Sequence, residues 1–200
     1  SNVTLVAVSK TKPVEAIQEA YALGLRDFGE NRAVELVGKV KALPDDIRWH
    51  AIGHLQRNKA SLVTPISSLI HSVDSIRLYD ALSKHAVEKL DVLIQVHIAD
   101  EQNKHGFYPD DLKKILETGD NLLSPNMNIK GLMGMATFTD NHAQITTEFK
   151  ALRTLFDEIS PSMGLDFDTL SMGMSGDWKI AIDEGSTLIR VGSAIFGSRN

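Results

Sequence analysis

The stretch Leu5-Val6-Ala7-Val8-Ser9-Lys10-Thr11-Lys12-Pro13 decides the fold. Four apolar residues in a row, two of them Val, predict a strand buried on both faces, as in a parallel sheet. A polar turn follows, and Pro13 is suited to open a helix at its first position. Lys10 therefore sits where a strand runs out into its loop. In an α/β barrel or an open α/β sheet, that end of the strand is where ligands bind. A lysine partly desolvated by strand ends has a lowered pKa and offers an amine for imine chemistry. A solvated surface lysine meets the same spacing, so position rather than residue type makes Lys10 a candidate.

The same unit repeats outward from this stretch. Strand-like segments fall at 25–31, 48–53, 69–74, 91–98, 129–136, 168–173 and 187–192. Helical periodicity falls between them, at 13–23, 33–43, a short piece ended by Pro65, about 75–89, 109–117, 142–159 and 177–184. The longest helix carries Ile145, Phe149, Leu152, Leu155 and Phe156 on one face. Eight strands alternating with seven or eight helices predict an α/β fold of the (β/α)8 TIM-barrel type rather than an open doubly wound sheet. No repeat, low-complexity tract or linker divides the chain, so residues 1–200 are expected to form a single domain.

Composition narrows the function. The chain has 200 residues, 42% apolar and 24% charged, with a formal net charge of -5. That balance argues against a broad basic face for nucleic acid. No apolar run approaches the ~18 residues of a membrane span. There is no cysteine, which excludes disulfides, zinc–thiolate sites and cysteine nucleophiles and fits a cytoplasmic setting. His54, His71, His85, His97, His105 and His142 form no metal-binding pattern such as paired histidines on one helix face.

A barrel gathers its strand C-termini around one mouth. Lys10, Glu30-Asn31, His50, Asn103-Lys104, Ser175 and Gly192-Ser193 would meet there. Barrels often bind phosphate with the loops after strands seven and eight, through backbone N–H groups, hydroxyls and a helix start. Ser171-Met172-Gly173-Met174-Ser175-Gly176-Asp177 and Arg190-Val191-Gly192-Ser193 have the residue types for it. Two ordinary glycine turns would look the same one at a time; with a strand-end lysine they describe a phosphate anchor opposite an imine-forming amine. Arg190 shares a strand face with Gly192 and points into the barrel, where it either pairs with a buried acid or meets a ligand. Lys104 is a candidate second amine.

Several of these stretches together resemble a known family. They are Val6-Ala7-Val8-Ser9-Lys10-Thr11-Lys12-Pro13, Phe28-Gly29-Glu30-Asn31, Trp49-His50-Ala51-Ile52-Gly53 with Leu55-Gln56-Arg57-Asn58-Lys59, Leu170-Ser171-Met172-Gly173-Met174-Ser175 and Arg190-Val191-Gly192-Ser193-Ala194-Ile195-Phe196-Gly197. In this order they resemble the pyridoxal phosphate homeostasis protein family, related to the N-terminal barrel of alanine racemase and to fold-type III enzymes dependent on pyridoxal 5′-phosphate (PLP). The resemblance implies that Lys10 holds PLP as a Schiff base. It implies that Ser175, Gly192 and Ser193 hold the phosphate and that Arg190 faces the pyridine nitrogen. Asn31 and His50 would lie beside the ring, and Met172 would line the pocket wall. Two departures stand out. The family usually has a second acidic residue where Gly176 stands, and usually an N-terminal helix before the first strand, which this sequence lacks.

The resemblance implies a PLP carrier in cofactor homeostasis without established turnover, with PLP-dependent apo-enzymes as possible recipients and neither nucleic acid nor membrane as partner. The alternative is a small alanine-racemase-like amino-acid racemase, which needs a second base such as a tyrosine at the cofactor. Read as it stands, the sequence has no second domain to supply one. A third reading needs no PLP: a Schiff-base aldolase using Lys10, with Glu30 as general acid.

Overall fold

β1 (Thr4–Val8) is the first stave of a closed barrel in which all eight strands run parallel in chain order. β2 (Asp27–Glu30), β3 (Arg48–Ala51), β4 (Leu69–Val73), β5 (Leu90–Gln95), β6 (Met127–Met133), β7 (Thr169–Ser171) and β8 (Leu188–Val191) follow, and β8 returns to pair with β1 from Thr4↔Leu188 to Ala7↔Val191. The structure is a computed structural model and describes residues 3–101, 105–118, 122 and 124–197. Asn103 and Lys104 lie outside the described residues.

The strand alternation divides the core into two layers. One set of side chains points inward: Val6, Leu69, Leu93, Met133 and Leu188 form an apolar plug inside the barrel. The other set, including Phe28, Trp49, Ile70, Leu132 and Leu170, points outward against the helices. The facing helices are α1 (Val14–Ala22), α2 (Ala33–Ala42), α3 (Ala60–Val63, a single turn between two 3-10 turns), α4 (Ile76–Ser83), α5 (Pro109–Thr118), α6 (His142–Met163), α7 (Trp178–Asp183) and α8 (Ser193–Phe196). α6 buries Ile145, Phe149, Leu152, Leu155, Phe156 and Ile159, the stripe expected from its periodicity. At Gly131 a Cβ would lie 1.7 Å from Thr169 O, so only glycine lets β6 approach β7 this closely.

The β7–β8 seam has one regular strand pair, Ser171↔Leu188. Around it, Thr187 N donates to Leu170 O at 3.0 Å, Arg190 N to Gly173 O at 3.0 Å, and the Ser186 hydroxyl lies 2.8 Å from Met172 O. These bonds satisfy backbone groups that the short strands leave over.

Two helix ends differ from expectation. α4 stops at Ser83 and not near Lys89, because the N–H groups of His85 and Ala86 both turn to Leu82 O and close the last turn. α6 runs on past Ile159 through Pro161. Pro161 removes the N–H that would bond to Asp157 O, but it lies only two residues from the helix end, and beside it the Ser160 and Ser162 hydroxyls donate to Phe156 O at 2.6 Å and Ile159 O at 2.8 Å.

Candidate functional site

The C-terminal ends of β1, β2, β6, β7 and β8 surround a cleft of about 560 Å³, a size suited to a small-molecule ligand. Lys10 lines it two residues beyond β1 and is partly buried. The turn that carries it is tightly tied. Thr11 has φ 64°, unusual for a β-branched residue, and its N–H donates to Glu35 Oε1 at 2.6 Å. Lys12 N donates to Ser9 O at 3.0 Å, and Lys12 Nζ donates to Phe196 O at 2.9 Å. The β1–α1 turn is thereby held to both α2 and α8.

Beside Lys10 stand the last two loops, because β8 pairs with β1 up to Ala7↔Val191. Ser175 Oγ accepts from Gly192 N at 3.2 Å, so the two loops already meet at the groups expected to bind an anion. A Cβ on Gly192 would sit 3.0 Å from Val8 O, which explains the glycine by close approach of backbones. Asp177 Oδ1 accepts from Met174 N at 2.6 Å and braces the Ser175 loop from within. Gly176 has open space where a side chain would project, so its difference from the family pattern leaves this bracing intact.

Arg190 reaches the cleft from below. It is 4% exposed, and its recorded partners are neutral oxygens: Ser171 O at 3.0 Å, Ser171 Oγ and Gly134 O at 3.1 Å. Among the described residues no carboxylate is hydrogen-bonded to it, and it lines the cleft. Burial lowers its pKa to about 10, with Asp177 opposing the shift, and it stays cationic at neutral pH.

Beneath Arg190 a hydrogen-bonded chain crosses the barrel. Ser171 Oγ meets His71 Nδ1 at 3.0 Å, His71 Nε2 meets His50 Nδ1 at 2.9 Å, and His50 Nε2 meets Asp27 Oδ1 at 3.1 Å. Arg190 can only donate and an ionised Asp27 can only accept. Neutral histidines between them must then all donate in one direction, from Arg190 through Ser171, His71 and His50 to Asp27. Burial, then the neighbouring His50 and Arg190, pushes the His71 pKa well below its ordinary value.

The alanine racemase N-terminal domain family matches residues 1–200. The pyridoxal phosphate homeostasis protein of Aquifex aeolicus is 40% identical over 199 residues, covering 98% of this chain and 86% of that protein. The human pyridoxal phosphate homeostasis protein is 37% identical over 211 residues, covering 98% and 76%. This chain belongs to the pyridoxal phosphate homeostasis protein family. Among solved structures, PipY of Synechococcus elongatus without PLP superposes with a TM-score of 0.91 at 40% identity, covering 98% of this chain and 93% of PipY. Its PLP-bound form gives 0.87. Alanine racemase of Corynebacterium glutamicum, at 14% identity and a TM-score of 0.78, shares the fold.

Of the residues singled out by resemblance to the pyridoxal phosphate homeostasis protein family, Lys10, Asn31, Ser175, Arg190, Gly192 and Ser193 all line the cleft. His50 and Met172 do not. His50 points into the barrel below the cleft, where it joins the chain to Asp27. Met172 follows the inward-facing Ser171, so the two-residue period turns it outward, and it is fully buried in the layer under the helices. Glu30 is also outside the cleft lining. It lies on the helix side of β2, where its Oε1 accepts from Lys39 Nζ and Ser9 Oγ, each at 2.6 Å. Burial raises the Glu30 pKa, and the bonds from Lys39 and Ser9 offset this only in part.

The sequence reading missed the β6–α6 loop. Met135, Thr137 and Asp140 line the cleft from it, with His142 at the start of α6. Glu148 of α6 pins this loop by accepting from Thr137 N and Thr137 Oγ1, each at 2.6 Å. The available signal was positional, since every strand's C-terminal loop faces a barrel mouth.

Proposed function

We propose that this protein binds PLP in the cleft, with Lys10 as the residue that holds it, and that it serves PLP homeostasis in the cytoplasm without turning over a substrate. The observation that carries the reading is the meeting of Lys10, Arg190, Ser175, Gly192 and Ser193 on one cleft. PipY, a relative over nearly the whole chain, has been solved with PLP bound. The residues fit such a group: an amine, two hydroxyls, a glycine N–H and a guanidinium all line the one cleft.

Each residue then has a physical task. Ser175, Ser193 and the N–H of Gly192 bind the phosphate through hydrogen bonds, replacing the bond that Ser175 and Gly192 make to each other. Asn31 orients the ring from the β2 side. Arg190, held by Ser171 and Gly134, presents fixed positive charge and disfavours a proton on any ring nitrogen beside it. Bound PLP supplies an aldehyde for Schiff-base exchange, and with an unprotonated pyridine nitrogen it is a weak electron sink.

The racemase alternative needs a second base facing the reacting carbon. Tyr21 donates to Asp46 at 2.7 Å, and the Tyr79 oxygen accepts from Ser124 N at 3.2 Å inside the core. Tyr108 packs on His97, and none of the three lines the cleft. The aldolase reading loses its general acid, since Glu30 is committed to Lys39 and Ser9. PLP-dependent apo-enzymes are the proposed recipients of released cofactor.

Titration with PLP, followed by incubation with L-alanine and other amino acids, tests this reading. Saturable uptake by the wild type, strongly weakened in Ser175→Ala, with no D-enantiomer formed, is the expected result. Steady racemisation that Lys10→Ala abolishes would establish an enzyme instead, and no uptake at all would remove PLP from the account.

A further inference from the structure

Away from the cleft, three strand-end loops bring metal-ligating side chains together. His54 lies three residues after β3, Asp74 directly follows β4, and His105 is in the loop after β5. His54 Nδ1 is 3.0 Å and His105 Nδ1 3.7 Å from the same oxygen, Asp74 Oδ2. The imidazoles stack with centroids 3.7 Å apart and planes 11° apart, so one ring must turn about its side-chain torsions for both Nδ1 lone pairs to converge on a single ion. One donor atom from each residue lies within 4.8 Å of the other two. The sequence reading found no metal pattern because the donors are spread over three loops, and only barrel closure joins them.

From these residues we infer a binding site for a divalent first-row transition ion, with Zn2+ the best match, at the β3–β4–β5 side of the barrel mouth. Two imidazole nitrogens and one carboxylate oxygen suit zinc and its neighbours, whereas Mg2+ and Ca2+ favour all-oxygen shells. Three protein donors leave a fourth position for water or a ligand. A hydrogen-bonding role accounts for His54 but not for His105, whose 3.7 Å contact is beyond hydrogen-bond range.

The donors stand on fixed backbone. Ser75 Oγ donates to Asp74 Oδ1 at 3.2 Å, leaving Oδ2 to face the histidines, and the same hydroxyl caps α4 by accepting from Leu78 N. That is the outer-shell support that orients a carboxylate ligand. The His105 carbonyl accepts from Gln95 Nε2 at 3.0 Å, and Phe107 N donates to Gln95 O at 2.8 Å, tying that loop to the end of β5. His54 lies between Ile52, whose N–H donates to Glu30 O at 3.0 Å, and the buried Leu55. Both histidines are about half exposed, so an ion has an open approach. Bound metal would staple three loops together. Ile52 also lines the cleft, so one edge of the stapled region borders it.

The test is a calorimetric titration of Zn2+ into tag-free, chelator-treated full-length protein, with Co2+ as a visible-absorption probe. Variants are His54→Ala, His105→Ala and Asp74→Asn, with His85→Ala, an exposed histidine elsewhere, as the control. Circular dichroism establishes that each variant is folded. The expected result is one saturable equivalent, a Co2+ d–d band and a raised melting temperature. Affinity should fall more than about tenfold in each site variant and stay unchanged in His85→Ala. Absence of saturable binding would overturn the site, as would an equivalent retained in both His54→Ala and His105→Ala. The outcome is independent of PLP uptake, so the two readings fail separately.

Discussion

Among the described residues Arg190 hydrogen-bonds only neutral oxygens, those of Ser171 and Gly134, so its orientation depends on them. Ser171→Ala removes an oxygen that accepts from Arg190 and hydrogen-bonds to His71 Nδ1, leaving two buried polar groups short of a bond. Loss of about 1–3 kcal/mol in denaturant-measured stability is expected, typical of an orphaned buried polar group, together with weaker PLP uptake. Stability altered without any change in uptake would detach the chain across the barrel from the cleft. His71 adds a pH dependence. Its folded pKa is depressed, so below its ordinary value of 6.5 the unfolded chain binds a proton that the folded state refuses. Stability should therefore fall as pH drops below about 6.5, and His71→Gln should flatten that slope in pH-dependent chemical denaturation. Asp27 acts lower on the scale. Burial pushes its carboxyl up, but hydrogen bonds from His50 and Arg48 outweigh this and bring the pKa from 3.8 to about 2. Its stabilisation is full above the unfolded value and is lost as pH falls through about 2; Asp27→Asn should remove that part of the acid transition.

At the scale of elements, the strands were the most legible feature. Runs such as Val92-Leu93-Ile94 are apolar on both faces because the barrel interior and the helix layer each bury one side. Helix ends were less legible, since α4 and α6 are terminated by particular turn and hydroxyl bonds that periodicity does not encode. That the Ser175 and Gly192–Ser193 loops share one cleft could be read because both directly follow strands at the same barrel mouth. The outward turn of Met172 and the inward engagement of His50 required strand register, which shifts by one residue without changing the local pattern. Gly131→Ala tests the closest strand approach. Its Cβ would overlap Thr169 O, so destabilisation of about 3 kcal/mol or more is expected in urea unfolding, in the range of severe core substitutions. A near-neutral effect would mean that β6 and β7 can separate freely.

The whole molecule is a barrel whose interior changes character along its axis. An apolar plug of Val6, Leu69, Leu93, Met133 and Leu188 shares the interior with the polar chain from Asp27 to Arg190, and the cleft opens above Arg190. The strand β8 thus fixes Arg190, while the bonded turns beyond β1, β7 and β8 hold Lys10 and the Ser175–Gly192 pair close to it. The histidine–aspartate cluster lay beyond sequence reading for the same reason that the mouth works: closure joins residues far apart in the chain. The central claim, that Lys10 holds PLP in this cleft, is tested most directly by borohydride reduction of the PLP-treated protein followed by peptide mapping. The account predicts a yellow wild type whose visible band bleaches on reduction, with the pyridoxyl label on the peptide containing Lys10, and no label at that peptide in Lys10→Ala. A label confined to another lysine in the wild type, or a protein that stays colourless with PLP, would contradict it.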